Sequence, residues 1–390
     1  MNWMSVYSAL SPWAQAAVIA GAGALSLARY QALPKASAAP RLAPALDRAL
    51  PTPAPLVSII VPARNEGRIL STLLASLLQQ DYPAVEVIVV DDASADGTGA
   101  VAAAWAERDT RLRTLHSDGP LPGWTGKNAA CWQGAQAARG DWLLFTDADT
   151  HHEPSALRVA LALAYQHAAP AISLFPRQRC KSFWEQLLLP FAYQQYFTGV
   201  NTRALSQPDA PALANGQYFL ISRAAYLAAG GHAAVAASVI DDVALAGALK
   251  RAGYPTLVAR GEELVSVRMY DSFGALAEGF TKNAAQFVRA QRGAGVLVAL
   301  TTAANAATLP ALLTAAAAGD HIAMTGATVA YIAQTLTLIP WMRRFGVDVA
   351  YAALAPLSSL VFTGIALASF VHALLRWPVR WKGRALAPTA

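Results

Sequence analysis

Three stretches near the C-terminus, residues 294–319, 322–342 and 349–371, contain no charged residue and no histidine. Each is long enough to cross a bilayer as a helix, at about 20 residues per crossing. Residues 1–28 are equally free of Asp, Glu, Lys, Arg and His. A chain with such runs at both ends does not close into one water-soluble globule. It reads instead as a soluble part held between membrane segments. The composition agrees, with only 14% of the 390 residues charged, against about a quarter in ordinary soluble domains.

The order of charge around the runs gives an expected topology. Residues 1–32 lack the basic start of a cleaved signal peptide, and Arg29, Lys35, Arg41 and Arg48 follow the apolar run. An uncleaved anchor with its N-terminus outside and the following residues in the cytoplasm is expected. Residues 33–55, rich in Pro and Ala, read as a linker. Residues 293–375 are assigned to C-terminal transmembrane helices and 376–390 to a basic tail. Three tail spans leave Arg376, Arg380, Lys382 and Arg384 outside, against the positive-inside rule. Either one segment is re-entrant or interfacial, or the tail is an exception. The terminal helices are expected to pack as an all-α bundle with Ala, Gly and Thr at their contacts. These features predict a multi-pass membrane protein with residues 56–292 on the cytoplasmic side.

Between the membrane runs, apolar β-branched segments alternate with helical spacing. Strands are predicted at 56–62, 85–90, 112–116 and 171–175, with helices near 96–108 and 154–167. This alternation predicts a doubly wound, mostly parallel α/β sheet with helices on both faces. Ligands bind such sheets outside the carboxyl ends of the strands, where Arg64-Asn65-Glu66, Asp91-Asp92 and Asp147-Ala148-Asp149 are expected to converge. If Leu143–Asp149 is extended throughout, Asp147 and Asp149 project to one side. Buried oxygen ligands at that spacing suit Mg²⁺ or Mn²⁺ holding a diphosphate. The competing reading is an Asp-rich turn after a strand.

Other residues add to that edge. The Gly- and Pro-bearing loop 119–128 enters a helix at Lys127, an arrangement suited to a diphosphate. The alternative is a turn with a solvent-facing lysine. His151 and His152 read as exposed side chains, metal ligation being the lesser reading. Residues 182–197 are too short and aromatic for a span and suit a helix in the headgroup zone, with a buried core helix as the rival. Asn215–Ser222 is predicted as a strand. Asp241 and Asp242 open a helix, either as simple capping or as a general base. Gln286 and Arg289, three apart, share a helix face. The net charge of +6 suits an anionic membrane or a phosphate-bearing substrate, and no basic-aromatic stripe points to nucleic acid. Cys131 and Cys180 read as core filler.

Taken together, Val-Ser-Ile-Ile-Val-Pro-Ala-Arg-Asn-Glu, Val-Val-Asp-Asp-Ala-Ser-Ala-Asp-Gly-Thr, Asp-Ala-Asp and the later Asp-Asp resemble membrane-anchored glycosyltransferases of family 2 over residues 56–290. Pro-Gly-Trp-Thr-Gly-Lys-Asn, Asn-Gly-Gln-Tyr and Trp-Lys-Gly-Arg resemble the hopanoid-associated and carotenoid members. The resemblance implies a GT-A fold and an inverting, metal-dependent transfer from a nucleotide-sugar donor, UDP-linked, to a membrane lipid. It implies that Ala63, Asn65, Glu66 and Asp92, supported by Asp91, hold the nucleoside, with Lys127 on the donor side. Asp147 would lie near the ribose or sugar and share the metal with Asp149. Asp242 would be the base, with Asp241 beside it. Asn215, Gln217, Gln286 and Arg289 would lie on the acceptor or diphosphate side. Processive relatives carry Gln-x-x-Arg-Trp, whereas Ala290 stands in the Trp position here, which counts against polymer synthesis. A polyprenyl-phosphate or polysaccharide transferase, and a non-catalytic nucleotide-binding scaffold, are the alternatives.

Overall fold

The computed structural model describes residues 30, 32–44, 50–199, 212–290, 302–375, 377, 379–381 and 384–386. The anchor at 1–29, part of the linker, residues 294–301 and most of the basic tail lie outside the described residues. The chain divides into two compact units. The first holds Ala39–Arg179 and the described residues from 212 to Met269; the second holds the described residues before 39, those from Cys180 to 199, and Tyr270–Trp381. The expected single α/β segment of 56–292 is thus interrupted, because residues 182–197 and those from Tyr270 onward belong with the apolar helices.

The first unit is built on a seven-stranded sheet in the order β3-β2-β1-β4-β8-β6-β9. Its strands are β1 (Val57–Ala63), β2 (Val85–Asp92), β3 (Leu112–Ser117), β4 (Trp142–Phe145), β6 (Ala171–Phe175), β8 (Phe219–Ser222) and β9 (Thr256–Arg260). The short strands β5 (Thr150–His152), β7 (Arg177–Gln178) and β10 (Val265–Val267) form a second sheet in the order β5-β10-β7. β1 runs parallel to both β2 and β4, and its apolar residues are buried on both faces, as a central parallel strand requires.

Helices α1 (Leu70–Leu78), α2 (Thr98–Ala106), α3 (Gly126–Ala137), α4 (Ala156–Gln166), α5 (Arg223–Ala228) and α6 (Asp241–Arg251) flank the sheet. Ile59 and Val61 share a core cluster with Leu73 and Leu77 of α1 and Leu157 and Leu161 of α4. Ile60, on the opposite side of the same strand, clusters with Cys131 of α3 and Leu245 and Leu249 of α6. Burying a leucine of this kind contributes about 1.5–3 kcal/mol. Helix α3 packs closely because its inward residues are small: a Cβ on Gly134 would lie 2.5 Å from Ile60 Cγ2.

One strand breaks the parallel pattern. β8 is antiparallel to both β4 and β6, pairing Phe219 with Phe145 and Leu220 with Ile172. Its beginning, rather than its end, therefore meets the carboxyl ends of β1 and β4. The opposite end of the sheet is closed by Glu86, buried on β2. Its carboxylate accepts from Ser58 Oγ at 2.6 Å and from the Arg139 backbone N–H at 2.7 Å, with Arg113 3.2 Å away. Burial alone raises such a group; the bonds from Ser58 and Arg139 and the Arg113 charge outweigh it and lower its pKa.

In the second unit, helix Phe183–Gly199 is enclosed by its neighbours rather than lying with one face open. Phe197 stacks on Trp341 at 5.8 Å between ring centroids, Phe191 meets Phe362 at 5.6 Å, and Gln194 Nε2 donates to Thr337 O at 2.8 Å. Most of its aromatic residues thus find partners inside the unit, while Phe183 stays 43% exposed. Among the described residues His321–Phe345 and Val349–His372 are long and apolar enough to cross a membrane. Asp320 caps the first, accepting from the N–H groups of Ile322 and Ala323, and Gly346 ends it with φ 65°. Ile322, Val329, Ile332 and Leu336 on that helix are all exposed, an outward row that water would penalise. The third expected span lies partly outside the described residues; its remainder includes the shorter helix Thr308–Ala318.

Candidate active site

The loops after β1 and β2 are tied to each other. Asn65 adopts φ 54°, a left-handed conformation that Asn tolerates. Its N–H donates to Ser94 Oγ, and its Oδ1 accepts from the Ala95 N–H, both at 2.9 Å. Arg64 Nη1 donates to Asp92 O at 2.6 Å, and the Glu66 N–H donates to Thr98 Oγ1 at 2.8 Å. Asp91 is buried and accepts from the Ser94 N–H at 3.2 Å. Ala63, Asn65, Glu66, Asp91 and Asp92 are thus brought to one edge, as expected. Asp96 was not anticipated. It receives the Gly67 N–H at 2.9 Å and the Thr98 hydroxyl at 2.5 Å, and although burial opposes it, these bonds hold its carboxyl below the usual range. The Asp-Gly-Thr that follows β2 was the available signal for such a turn.

Lys127 joins the acidic residues. Thr125 caps α3 by accepting from the Asn128 N–H at 3.2 Å, which places Lys127 in the first helical turn. Its Nζ lies 2.9 Å from Asp147 Oδ1 and 3.3 Å from Asp241 Oδ2. Asp242 accepts from the Gly216 N–H at 2.7 Å and from its neighbour Val243 N–H at 2.8 Å. Lys127, Asp147, Gly216, His232, Asp241 and Asp242 line one small cavity, together with the apolar Phe145, Phe219 and Leu245. Burial opposes the charge on Lys127, but Asp147 and then Asp241 overcome this and raise its pKa well above the ordinary lysine value. Burial, reinforced by Asp241, pushes the Asp242 carboxyl up to about 6, Lys127 partly offsetting it. Three carboxylates around one ammonium leave an excess of negative charge, which favours an added cation or proton. Cys131 shares the cavity, and burial pushes its thiol well above the ordinary value, as befits a filler.

The Asp-x-Asp pair sits on a turn. β4 ends at Phe145, and Asp147 to Asp149 lie beyond it, closed by the Thr150 N–H and hydroxyl donating to Asp147 O at 3.3 and 2.8 Å. The same-side argument for an extended strand does not apply: the chain must reverse here to start β5. Asp147 lines the cavity with Asp241 and Asp242; Asp149 is half-buried in the turn and is not among the lining residues.

The histidines differ from expectation. His152 is 2% exposed, with its Nε2 3.0 Å from Thr146 Oγ1 and 3.1 Å from Thr150 Oγ1. Those hydroxyls donate to Gln217 O and Asp147 O, so Nε2 is left as the donor to both oxygens. Burial, then His151, holds the ring neutral with a pKa of about 3. Two histidines on a strand face opposite sides, and that alternation was the signal for one buried ring. His232 is also buried, its Nδ1 2.9 Å from Tyr226 Oη, and burial lowers its pKa to about 4.

Asn215 Oδ1 accepts from the Gln217 N–H at 2.9 Å, shaping the turn that presents Gly216 to Asp242. The Gln217 side chain is buried and accepts from Gln178 Nε2 at 3.2 Å, which turns it into the domain. Gln286 and Arg289 fall on helix Phe273–Ala290 of the other unit; their side chains lie outside the described residues.

A mixed sheet with helices on both faces and acidic loops at one edge defines the GT-A class of glycosyltransferase folds. The solved mannosyltransferase PcManGT from Pyrobaculum calidifontis, in complex with GDP-Man and Mn²⁺, shares this fold. The two superpose with a TM-score of 0.55 over 92% of this chain and 97% of that one, at 20% identity. Residues 58–226 match the family model for glycosyl transferase family 2. It is 32% identical over 232 residues to the 4,4'-diaponeurosporenoate glycosyltransferase of Staphylococcus haemolyticus (59% of this chain, 61% of the relative). The protein of the same name from Staphylococcus aureus (strain MRSA252) is 32% identical over 231 residues (58% and 60%). The chain thus spans about three-fifths of the length of the curated relatives it matches.

Proposed function

We propose that the chain transfers one sugar from a nucleotide-sugar donor, UDP-linked, to a hydroxyl of a carotenoid- or hopanoid-like membrane lipid, with inversion at the anomeric carbon. The observation that carries this reading is the placement of Lys127 between Asp147 and Asp241, beside the buried Asp242, at the ligand edge of the sheet. The outward apolar rows of His321–Phe345 and the names of the relatives support a lipid acceptor. In this reading the protein is a multi-pass inner-membrane enzyme with its α/β unit in the cytoplasm.

Ala63, Asn65, Glu66 and Asp92, with Asp91 behind them, hold the nucleoside in the paired loops after β1 and β2. Lys127 reaches the diphosphate and lowers the cost of the charge that develops on it. Asp147 and Asp149 offer oxygen donors only, a set that fits Mg²⁺ or Mn²⁺ completed by phosphate oxygens. Such an ion, when bound, neutralises part of the leaving diphosphate's charge. Asp242 takes the proton of the acceptor hydroxyl as that oxygen attacks the anomeric carbon, and the bond to the diphosphate breaks on the opposite face. A carboxyl near 6 is ionised at neutral pH and still basic enough for the task. Asp241 keeps Lys127 in place and raises Asp242.

The relatives' name denotes a carboxylate, which needs no base. A base built as Asp242 is favours a hydroxyl here. Membranes containing the chain are supplied with radiolabelled UDP-hexose and a hydroxycarotenoid, beside Asp149→Ala and Asp242→Asn variants. Both variants are expected to lose transfer, and mass spectrometry to find a hexosylated lipid only with the wild type. Full turnover by both would sink the assignment. Asp242→Asn active on a carotenoid carboxylate but not on the hydroxyl would single out Asp242 as the base.

A further inference from the structure

The transfer as described leaves one fully buried polar side chain beside Lys127 without a role. Asn128 has no solvent exposure. Its Nδ2 lies 2.8 Å from Val235 O, 2.9 Å from Ala236 O and 2.9 Å from Ser238 O. The Thr125 N–H adds a fourth tie, donating to Ala236 O at 2.9 Å. Three carbonyls around one amide group fix its orientation, because turning it over would set oxygen against oxygen. Asn128 Oδ1 is buried with no hydrogen-bond partner among the described residues. A leucine would fill the space without that cost, so the side chain is held there by what its N–H groups do.

What they do is join two parts of the site. Residues 235–238 lead directly into α6, and Ser238 Oγ donates to Ile240 O at 3.1 Å, one residue before Asp241. The turn of α3 that carries Lys127 therefore also grips the segment that delivers Asp241 and Asp242. We infer that Asn128 is a positioning residue: by clamping 235–238 to the start of α3 it sets the spacing between the Lys127 ammonium and the Asp241–Asp242 pair. The functional side of this inference rests on the transferase reading above. The donor loops after β1 and β2 make no part of the clamp, so its loss falls chiefly on the transfer step and leaves the nucleoside-holding loops in place.

The test compares the full chain in detergent as wild type, Asn128→Ala and Asn128→Ser, the last keeping one short donor. Hydrogen–deuterium exchange is read together with steady-state kinetics on UDP-glucose and a hydroxycarotenoid. In Asn128→Ala the amides of 235–244 are expected to exchange at least about tenfold faster, with β1, β2 and β4 unchanged. kcat is expected to fall by about a hundredfold while the donor KM stays within about twofold. Asn128→Ser should lie between. Unchanged exchange at 235–244 would overturn the inference. So would exchange quickened evenly through the domain, or kcat and KM moving together. A wild type that exchanges as described but turns over no sugar would defeat the transferase reading, and the exchange pattern would still decide whether Asn128 clamps the segment.

Discussion

The backbone N–H of Gly216 donates to Asp242 Oδ2 at 2.7 Å, so the turn that begins β8 holds the carboxylate that begins α6. Residues 26 positions apart meet because β8 runs antiparallel to β4 and brings its start to the ligand edge. A Cβ at 216 would lie 3.1 Å from Lys127 Nζ and 3.4 Å from Asp242 Oδ2. Gly216→Ala is therefore expected to displace the ammonium by a few tenths of an ångström and to lower kcat by about tenfold. Because the crowded atom is the end of a flexible side chain, the melting temperature should hardly move. Kinetics and thermal unfolding of the one variant check both halves.

Asp242 makes a prediction with a definite sign. Its carboxyl lies at about 6 in the folded chain, against an ordinary 3.8. The folded state binds this proton more tightly than the unfolded one, so stability falls as pH rises between those two values. Asp242→Asn removes the buried charge. It should melt at a higher temperature than the wild type at pH 7.5, and the advantage should vanish near pH 3.5. With Asp242 as the proposed base, wild-type kcat is expected to rise with pH through about 6. A variant with no thermal gain at pH 7.5 would contradict this account.

Removing Asp149 tests the metal reading without removing the cavity. Chelation is expected to abolish transfer by the wild type, and Mn²⁺ or Mg²⁺ to restore it. In Asp149→Ala the Mn²⁺ concentration for half-maximal donor binding, measured calorimetrically with UDP, should rise by at least about tenfold, the order seen when one carboxylate ligand or its support is lost.

His152 organises the Asp-x-Asp turn through the two threonine hydroxyls on its Nε2. His152→Ala leaves buried hydroxyl oxygens short of a donor and a cavity behind them. It is expected to cost about 2–4 kcal/mol in denaturant unfolding. His152→Gln keeps a donor near the same place and should recover a good part of that loss. Equal destabilisation by both would show that packing, not the hydrogen bonds, holds the turn.

How far the chain could be read in advance depended on how local each feature is. Ala171–Phe175 forms the strand expected of it, and β1 differs by one residue at each end, because an apolar run between polar turns has few other ways to bury itself. The Asp320 cap and Gly346 close their helix by local chemistry. By contrast, Phe-Leu-Ile-Ser of β8 announces burial but not direction. Asp147-Ala148-Asp149 follows an apolar run as a strand end would, yet the demand to reach β5 makes it a turn. Residues 182–197 were legible as apolar and aromatic, but which helices cover those rings depended on residues more than a hundred positions away.

Residue order alone was enough to establish an α/β sheet with acidic loops at one edge, apolar helices beyond it and a lysine entering a helix, since each follows from periodicity and from groups within a few positions of one another. Folding in three dimensions decided the rest: that Lys127 pairs with Asp147 and Asp241, that Gly216 holds Asp242, and that His152 lies inside. These are meetings of distant segments, governed by strand direction and by the cost of leaving a buried polar group unpaired, and neither is written in any short stretch of the chain.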